Sequence, residues 1–149
     1  MGGAFPSIGF LESLRSRMQV RHERFERLGY VDVTFGLRVV DTGREYTLDF
    51  EVFECSGIRE GIDPKKVDFV LEASSSVWQE MFANIRSKGR ADSEHGINTL
   101  THFGDSMRAV YDDPDGHDKL FRFAESIQEF FDLAGELDDG GAASVAGEV

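Results

Sequence analysis

Residues 30–53 read YVDVTFGLRVVDTGREYTLDFEVF, two alternating runs on either side of a short polar turn. From Val31 to Val39 every second residue is apolar, and polar residues or glycine fill the gaps. A second alternating run begins at Tyr46, after the turn DTGR at residues 41–44. A period of two indicates strands with one buried face. Two such runs joined by a short turn that contains glycine predict an antiparallel hairpin whose apolar face must be covered.

A first helix is predicted before this hairpin, from Ser7 to about Leu28. Serine is a favoured N-cap, apolar residues form one stripe, and Gly29 is a typical C-terminal stop. The opposite face is rich in arginine, and two interpretations of it remain open: a face in contact with solvent, or a basic docking surface for a partner enzyme. The arginines concerned are Arg15, Arg17, Arg21, Arg24 and Arg27.

The middle of the chain predicts a third strand and a second helix. Residues 54–66 are expected to be a polar connection, and residues 67–73 alternate again as a strand. Ser76 and Gln79 have the spacing of a capping box, which predicts a helix from that point. Its apolar stripe contains Trp78, Phe82 and Ile85.

The C-terminal third predicts a short helix at residues 95–103, where a strand is the alternative. A fourth strand at 107–111 and a long amphipathic helix at about 117–134 follow. Beyond this helix the sequence is rich in Gly, Ala, Asp and Glu and offers little to a core. We therefore predict a single domain, residues 1–135, followed by a disordered acidic tail at 136–149.

Composition narrows the possible functions. The chain has 149 residues and a formal net charge of −12, which argues against binding to nucleic acids or to anionic membranes. Its one cysteine, Cys55, cannot form an intramolecular disulfide, which is typical of a reducing compartment. The sequence also lacks a secretory signal and an apolar run of the roughly 20 residues that span a bilayer. We predict a cytoplasmic protein without stable membrane anchoring.

The order of elements resembles that of the sterol-carrier-like domain superfamily. The local sequence also resembles that superfamily in three segments: 46–53 (YTLDFEVF), 67–82 (VDFVLEASSSVWQEMF) and 107–120 (MRAVYDDPDGHDKL). The resemblance implies an α+β fold, with a curved, mostly antiparallel sheet of about four to five strands covered on one face by helices. It also implies a hydrophobic tunnel between sheet and helices for lipids, acyl chains or other apolar molecules. Sterol-carrier-like domains occur as non-catalytic companions of enzymes as well.

The aromatic residues are the candidate binding residues. Thirteen Phe in 149 residues, together with Trp78, provide more bulky apolar surface than a simple two-layer core requires. Some of these side chains fill the core, and we predict that a subset lines a ligand cavity. The predicted ligand-binding residues are Trp78, Phe82, Phe123, Phe130, Phe50 and Phe35.

No metal or cofactor site is predicted. The four histidines show no i, i+4 pair of the kind that holds zinc on a helix. Cys55 has carboxylates nearby in the sequence, which raise the pKa of a thiol instead of activating it. Nucleophile-elbow, phosphate-loop and dinucleotide motifs are absent from the sequence. His102 and Asp105 form the one acid–base pair worth considering.

Three functions are therefore compatible with the sequence. The leading hypothesis is non-enzymatic binding of an apolar small molecule in a cavity between sheet and helices. The second is an accessory subunit that supports a partner enzyme through the arginine-rich first helix. The third is a small enzyme of the ketosteroid isomerase type, in which His102 and Asp105 act as acid and base.

Overall fold

The fold of the chain, seen in a computed structural model, is α+β, as predicted. The structure describes residues 7–102, 106–112 and 114–137. The elements follow in the order α1 (Ile8–Val20), α2 (His22–Leu28), β1 (Val31–Val39), β2 (Arg44–Val52), β3 (Glu54–Glu60), a 3-10 turn (Pro64–Lys66), β4 (Phe69–Ala73), α3 (Ser75–Lys88), α4 (Ile97–His102), β5 (Met107–Val110), α5 (Pro114–Asp132) and a second 3-10 turn (Leu133–Glu136).

The five described strands form one sheet in the order β3-β2-β1-β4-β5. Among them only the central pair, β1 with β4, is parallel, and the other pairs are antiparallel. The predicted hairpin is confirmed, because Val31 lies opposite Val52 and Val39 lies opposite Arg44. The prediction of a mostly antiparallel sheet of four to five strands is confirmed with it.

One face of the sheet is buried beneath helices. Apart from Val70, which lies near Gly36 on the opposite face, the apolar residues of β1, β2 and β4 point to this face. There α5 packs against β1 and β4, and α1 packs against β3. Burial of these side chains is the main favourable term in folding. The core therefore lies between a single sheet face and the helical layer, as the alternating pattern indicates.

Charged side chains cross the opposite face of the sheet in a row. Arg38 on β1 donates to Glu45 on β2 (Nε to Oε2, 2.8 Å) and to Glu72 on β4 (Nη1 to Oε1, 2.7 Å). Arg108 on β5 lies 3.5 Å from Glu72. These four residues occupy one register position across four strands. A slip of one residue would turn every side chain of a strand to the other face, so this row helps to fix the register.

The predicted polar connection at residues 54–66 is wrong in its first half, because β3 occupies Glu54–Glu60. Glu51 lies opposite Glu54, so Val52 and Phe53 are the two central residues of a tight turn. Hairpin turns of this length normally contain Gly, Asn or Asp. Neither residue is a turn former, and the sequence therefore gives no sign that the chain reverses here.

Helix boundaries differ from the prediction in three places. Ser7 caps α1 as predicted, but the first helix is interrupted at Arg21 and continues as α2. The predicted capping box at Ser76 is wrong, since the hydroxyl of Ser74 accepts the bond from the amide of Val77. The last helix begins at Pro114, earlier than predicted. Proline suits the first helical position because it has no amide hydrogen to leave unpaired.

Candidate functional site

The predicted ligand-binding aromatics are all buried, and five of the six belong to one network of rings. Phe131 lies at its centre and meets Phe35, Trp78 and Phe82 edge to face, at centroid distances of 6.3, 5.9 and 5.7 Å. Phe131 was not among the predicted binding residues, although it falls on the apolar stripe of the last helix. The rings contact one another, and a role in lining a ligand cavity stays a prediction.

The other members extend this network toward β2 and α5. Phe50 stacks with Phe35 at 5.8 Å and meets Phe130 edge to face at 5.0 Å. Among the described residues, Phe123 does not join this network, and the guanidinium of Arg122 lies 5.7 Å from its ring centroid. Such ring pairs stabilise the fold by more than the burial of each side chain contributes.

Trp78 is held by both packing and a hydrogen bond. Its side chain is fully buried, and its indole Nε1 donates to the backbone oxygen of Arg38 at 3.1 Å. A buried indole needs a partner for its N–H, and this bond ties α3 to the C-terminal end of β1. Trp78 therefore marks one end of the sheet.

An apolar groove lies at the opposite end of the sheet, between α1–α2 and the β2–β3 turn. Its volume is about 550 Å³, which is within the range of about 300–1,000 Å³ typical of small-molecule sites. Its apolar wall consists of Met18, Val52 and Phe53. Its polar wall consists of Gln19, His22, Glu26 and Glu54. We call this site the Val52 groove.

Val52 itself has an unusual backbone. Its φ of 60° lies in the left-handed region, and it is the one non-glycine residue with positive φ in the described part of the chain. The left-handed conformation costs a β-branched residue roughly 1–2 kcal/mol. Strain of this kind concentrates at functional sites, where it persists because the surrounding structure holds it. The turn that forms the apolar wall therefore departs from ordinary turn chemistry.

The base of the groove belongs to the protein core. Met18 is 1% exposed and packs in the main hydrophobic cluster, against which the half-buried Phe53 also packs. Val52 remains 47% exposed at the mouth. An apolar molecule in the groove would thus contact side chains that run continuously from the surface into the core.

The groove and Trp78 are far apart. Val52 lies opposite Val31, whereas Trp78 binds the backbone of Arg38, seven residues further along β1. At about 3.3 Å per residue, Val31 and Arg38 are roughly 23 Å apart along the strand. Trp78 fluorescence can therefore distinguish a ligand in the Val52 groove from one between sheet and helices.

A second pocket, of about 430 Å³, has a different character. It lies between the first 3-10 turn and the start of α5, and charged side chains such as Lys65, Asp68 and Asp118 line it. Within the described residues, no three His, Cys, Asp or Glu side chains are grouped so that they could hold a metal ion.

The arginines of the first helix are largely engaged within the molecule. Arg17 and Arg21 each donate to Oε1 of Glu136 at 2.9 Å, and Arg24 donates to Oε2 of Glu136 at 3.1 Å and to Glu129 at 2.9 Å. Arg15 donates to backbone oxygens of β3, and Arg27 is exposed. This face is therefore not simply solvated, because four of its five arginines hold contacts within the molecule, and a role in docking a partner stays a prediction. Glu136 lies one residue beyond the predicted end of the domain, and residues 138–149 of the predicted tail lie outside the described residues.

We expect the contribution of Glu136 to stability to depend on pH. Burial alone would raise the pKa of its carboxyl, but hydrogen bonds from the three arginines lower that pKa from 4.5 to about 2. Because the pKa is lower in the folded state, this stabilisation is complete above pH 4.5 and is lost as the pH falls toward 2.

Denaturant unfolding of the wild type and of Glu136→Gln at several pH values measures this effect. The wild type should be the more stable protein at pH 6, and the difference should shrink as the pH approaches 2. A difference that does not change with pH would contradict this assignment.

The catalytic candidates gain no support from the described residues. Asp105 and the side chain of His102 lie outside them, so the predicted acid–base pair is not described. Cys55 is 2% exposed, and burial raises the pKa of its thiol to about 12. A thiol in this state is not a nucleophile near neutral pH. In the described part of the chain, no helix has both the length and the apolar character that a membrane span requires.

Comparison of the whole fold with solved structures identifies its class. The chain has the sterol-carrier-like fold, which confirms the resemblance seen in the sequence. No family model matches the chain, and no curated protein matches it either.

Three solved structures illustrate the likeness. The solution structure of TT1886 from Thermus thermophilus, a conserved hypothetical protein described as a candidate sterol carrier protein, matches with a TM-score of 0.63 at 15% identity, over 91% of this chain and 90% of that one. A crystal structure of sterol carrier protein 2 matches with a TM-score of 0.60 at 17% identity, over 86% and 95% of the two chains. The inverting sec-alkylsulfatase Pisa1 from Pseudomonas sp. matches with a TM-score of 0.54 at 18% identity, over 89% of this chain and 17% of that enzyme.

Proposed function

We propose that the protein binds a hydrophobic small molecule, such as a lipid or another apolar metabolite, and does not catalyse its conversion. The observation that carries this proposal is the Val52 groove, where a strained turn of two apolar residues forms one wall of a site that opens onto the core. Neither Val nor Phe is needed to reverse the chain, and both suit contact with an apolar ligand. The fold supports the proposal, because one of its structural neighbours is sterol carrier protein 2 and another is described as a possible sterol carrier protein.

The buried aromatic network is the second place where such a ligand could bind. Trp78, Phe82, Phe123, Phe130, Phe50 and Phe35 remain the proposed walls of a cavity between sheet and helices. Their mutual contacts leave the Val52 groove as the more accessible site, and we propose it as the entry point. The proposal includes a cytoplasmic location, in keeping with the single buried thiol of Cys55.

Replacing Val52 by asparagine is expected to increase the stability of the protein and to weaken its binding of an apolar ligand. Asparagine tolerates positive φ, so the variant should gain about 1 kcal/mol in the free energy of unfolding. The same change removes an apolar contact worth about 1 kcal/mol, so binding of a neutral apolar probe should weaken about fivefold. Urea unfolding and titration with the neutral dye Nile red measure the two effects.

Val40→Asn provides the matched control for this experiment. Val40 is 51% exposed, has no positive φ and does not line the groove. Its substitution should leave both stability and dye binding nearly unchanged. Equal dye binding by the wild type and Val52→Asn, or no dye binding by the wild type, would argue against the groove as the binding site.

The arginine-rich face does not support an accessory-subunit function as a second candidate. Three of its five arginines already bind Glu136, and a fourth binds the backbone of β3. These contacts place the charge of the face against Glu136 and Glu129 of the same molecule.

A further inference from the structure

We propose that the Val52 groove selects an apolar chain with a cationic head group, such as a single-chain primary amine, over a fatty-acid anion of the same length. This inference rests on the proposed function and names the ligand class that the site would take. It follows from the charges around the mouth of the groove, which differ from those of a site built for carboxylates.

The charged groups of the groove are carboxylates. Glu26 on α2 and Glu54 at the start of β3 both line it, and among the described lining residues there is no Lys or Arg. The nearest histidine, His22, has its Nδ1 3.4 Å from Oε2 of Glu26. A fatty-acid head group would therefore meet two carboxylates of its own sign.

The apolar side chains lie deep in the groove, and the charged side chains lie at its surface. Met18 is buried at the base and Phe53 is half-buried, whereas Glu26 and Glu54 are exposed at the rim. An alkyl chain that contacts Met18, Val52 and Phe53 would place its head group at the level of the two carboxylates. A primary ammonium offers three donors there and complements their charge.

The net charge of the whole molecule also favours a cationic ligand over an anionic one. The formal net charge of −12 raises the local concentration of cations and lowers that of anions. Arg17, Arg21 and Arg24 have their guanidinium groups on Glu136 and Glu129, and Arg15 binds backbone oxygens of β3. Arg27 follows Glu26 in the sequence and is exposed, but it does not line the groove, so the described lining residues include no arginine that would offset the two carboxylates.

Displacement of Nile red by three ten-carbon ligands tests this selectivity. Decylammonium, decanol and decanoate share one alkyl chain and differ only in the head group. In 0.1 M NaCl, decylammonium should displace the dye at a concentration about threefold or more below that of decanol, and decanoate should be the weakest of the three. The advantage of the amine should shrink in 1 M NaCl, because the Debye length falls from about 10 to 3 Å.

Two double variants change the net charge by the same amount. Together they separate the effect of the two rim carboxylates on ligand preference from the effect of the net charge of the molecule. Glu26→Gln with Glu54→Gln should bring the three ligands to similar affinities. Glu23→Gln with Glu125→Gln changes two exposed carboxylates that do not line the groove, so it should keep most of the preference. Thermal unfolding of each variant confirms that it is folded.

The outcomes distinguish this inference from the proposed function. If decanol binds and Val52→Asn weakens it, but decanoate binds as tightly as decylammonium, the head-group preference is wrong and the binding function stands. If none of the three ligands displaces the dye, both are wrong. If the control variant loses the preference as fully as the groove variant, the rim carboxylates are not its cause.

Discussion

Replacement of Trp78 by alanine is expected to cost about 3–5 kcal/mol in the free energy of unfolding, the loss typical of a packed core aromatic. The indole is fully buried, meets Phe131 edge to face, and donates its N–H to the backbone of Arg38. Truncation would remove the buried area and leave that carbonyl oxygen without its donor. Urea denaturation followed by circular dichroism measures the loss without relying on the tryptophan itself.

Tyr30→Ala is a suitable control, because Tyr30 is 63% exposed and its truncation should change stability by less than about 0.5 kcal/mol. A loss below about 1.5 kcal/mol for Trp78→Ala would indicate that part of the ring faces open space even without a ligand. Ligand titrations give an independent test. A ligand in the Val52 groove should leave Trp78 emission unchanged, and one between sheet and helices should shift it.

Replacement of Gly116 by alanine is expected to destabilise the protein by about 3 kcal/mol, as forced overpacking does. Alanine favours helices over glycine by about 1 kcal/mol, so the local effect alone would be stabilising. However, a Cβ at this position would overlap the backbone oxygen of Asp68 and come within 2.9 Å of the Cβ of Tyr111. Neither of these atoms belongs to the flexible end of a side chain, so the start of α5 would have to move away from the residue before β4.

Thermal and urea unfolding of Gly116→Ala and Gly96→Ala measure this steric effect. At Gly96 the nearest atom to an added Cβ is Oε1 of Gln128 at 3.4 Å, an ordinary contact. Gly96→Ala should therefore show no comparable loss. Equal stability of the two variants would contradict the close approach of α5 to the sheet.

The sequence predicted those parts of the fold that depend on local periodicity. The β1–β2 hairpin was correct because its alternation is regular and its turn contains Gly43, although β2 begins at Arg44, which the prediction had placed in the turn. The apolar stripe of α3 was also correct. Strand β3 was missed because its turn consists of Val52 and Phe53, and the conformation of these two residues is imposed by the folded structure and not by their own preferences.

Contacts between distant segments were beyond sequence reasoning. The arginine-rich face was recognised, but its partner Glu136 lies 112 to 119 residues away in the chain. Three consecutive serines stand at the start of α3, and sequence spacing alone favoured Ser76 over Ser74 as the cap. The Val52 groove combines side chains from α1, α2 and the β2–β3 turn. Their proximity exists only after folding, so no linear pattern could reveal it.

The position of Arg15 protects one edge of the sheet from pairing with other molecules. Strand β3 forms one edge of the sheet, and an exposed edge offers unpaired backbone groups to a strand of another molecule. The guanidinium of Arg15 covers part of this edge, since its Nε donates to the oxygen of Cys55 and its Nη2 to that of Ser56, both at 2.9 Å. A foreign strand that approached there would have to displace a charged side chain to reach these carbonyls. Arg15 thus closes this part of the edge to the intermolecular pairing from which β-aggregates grow.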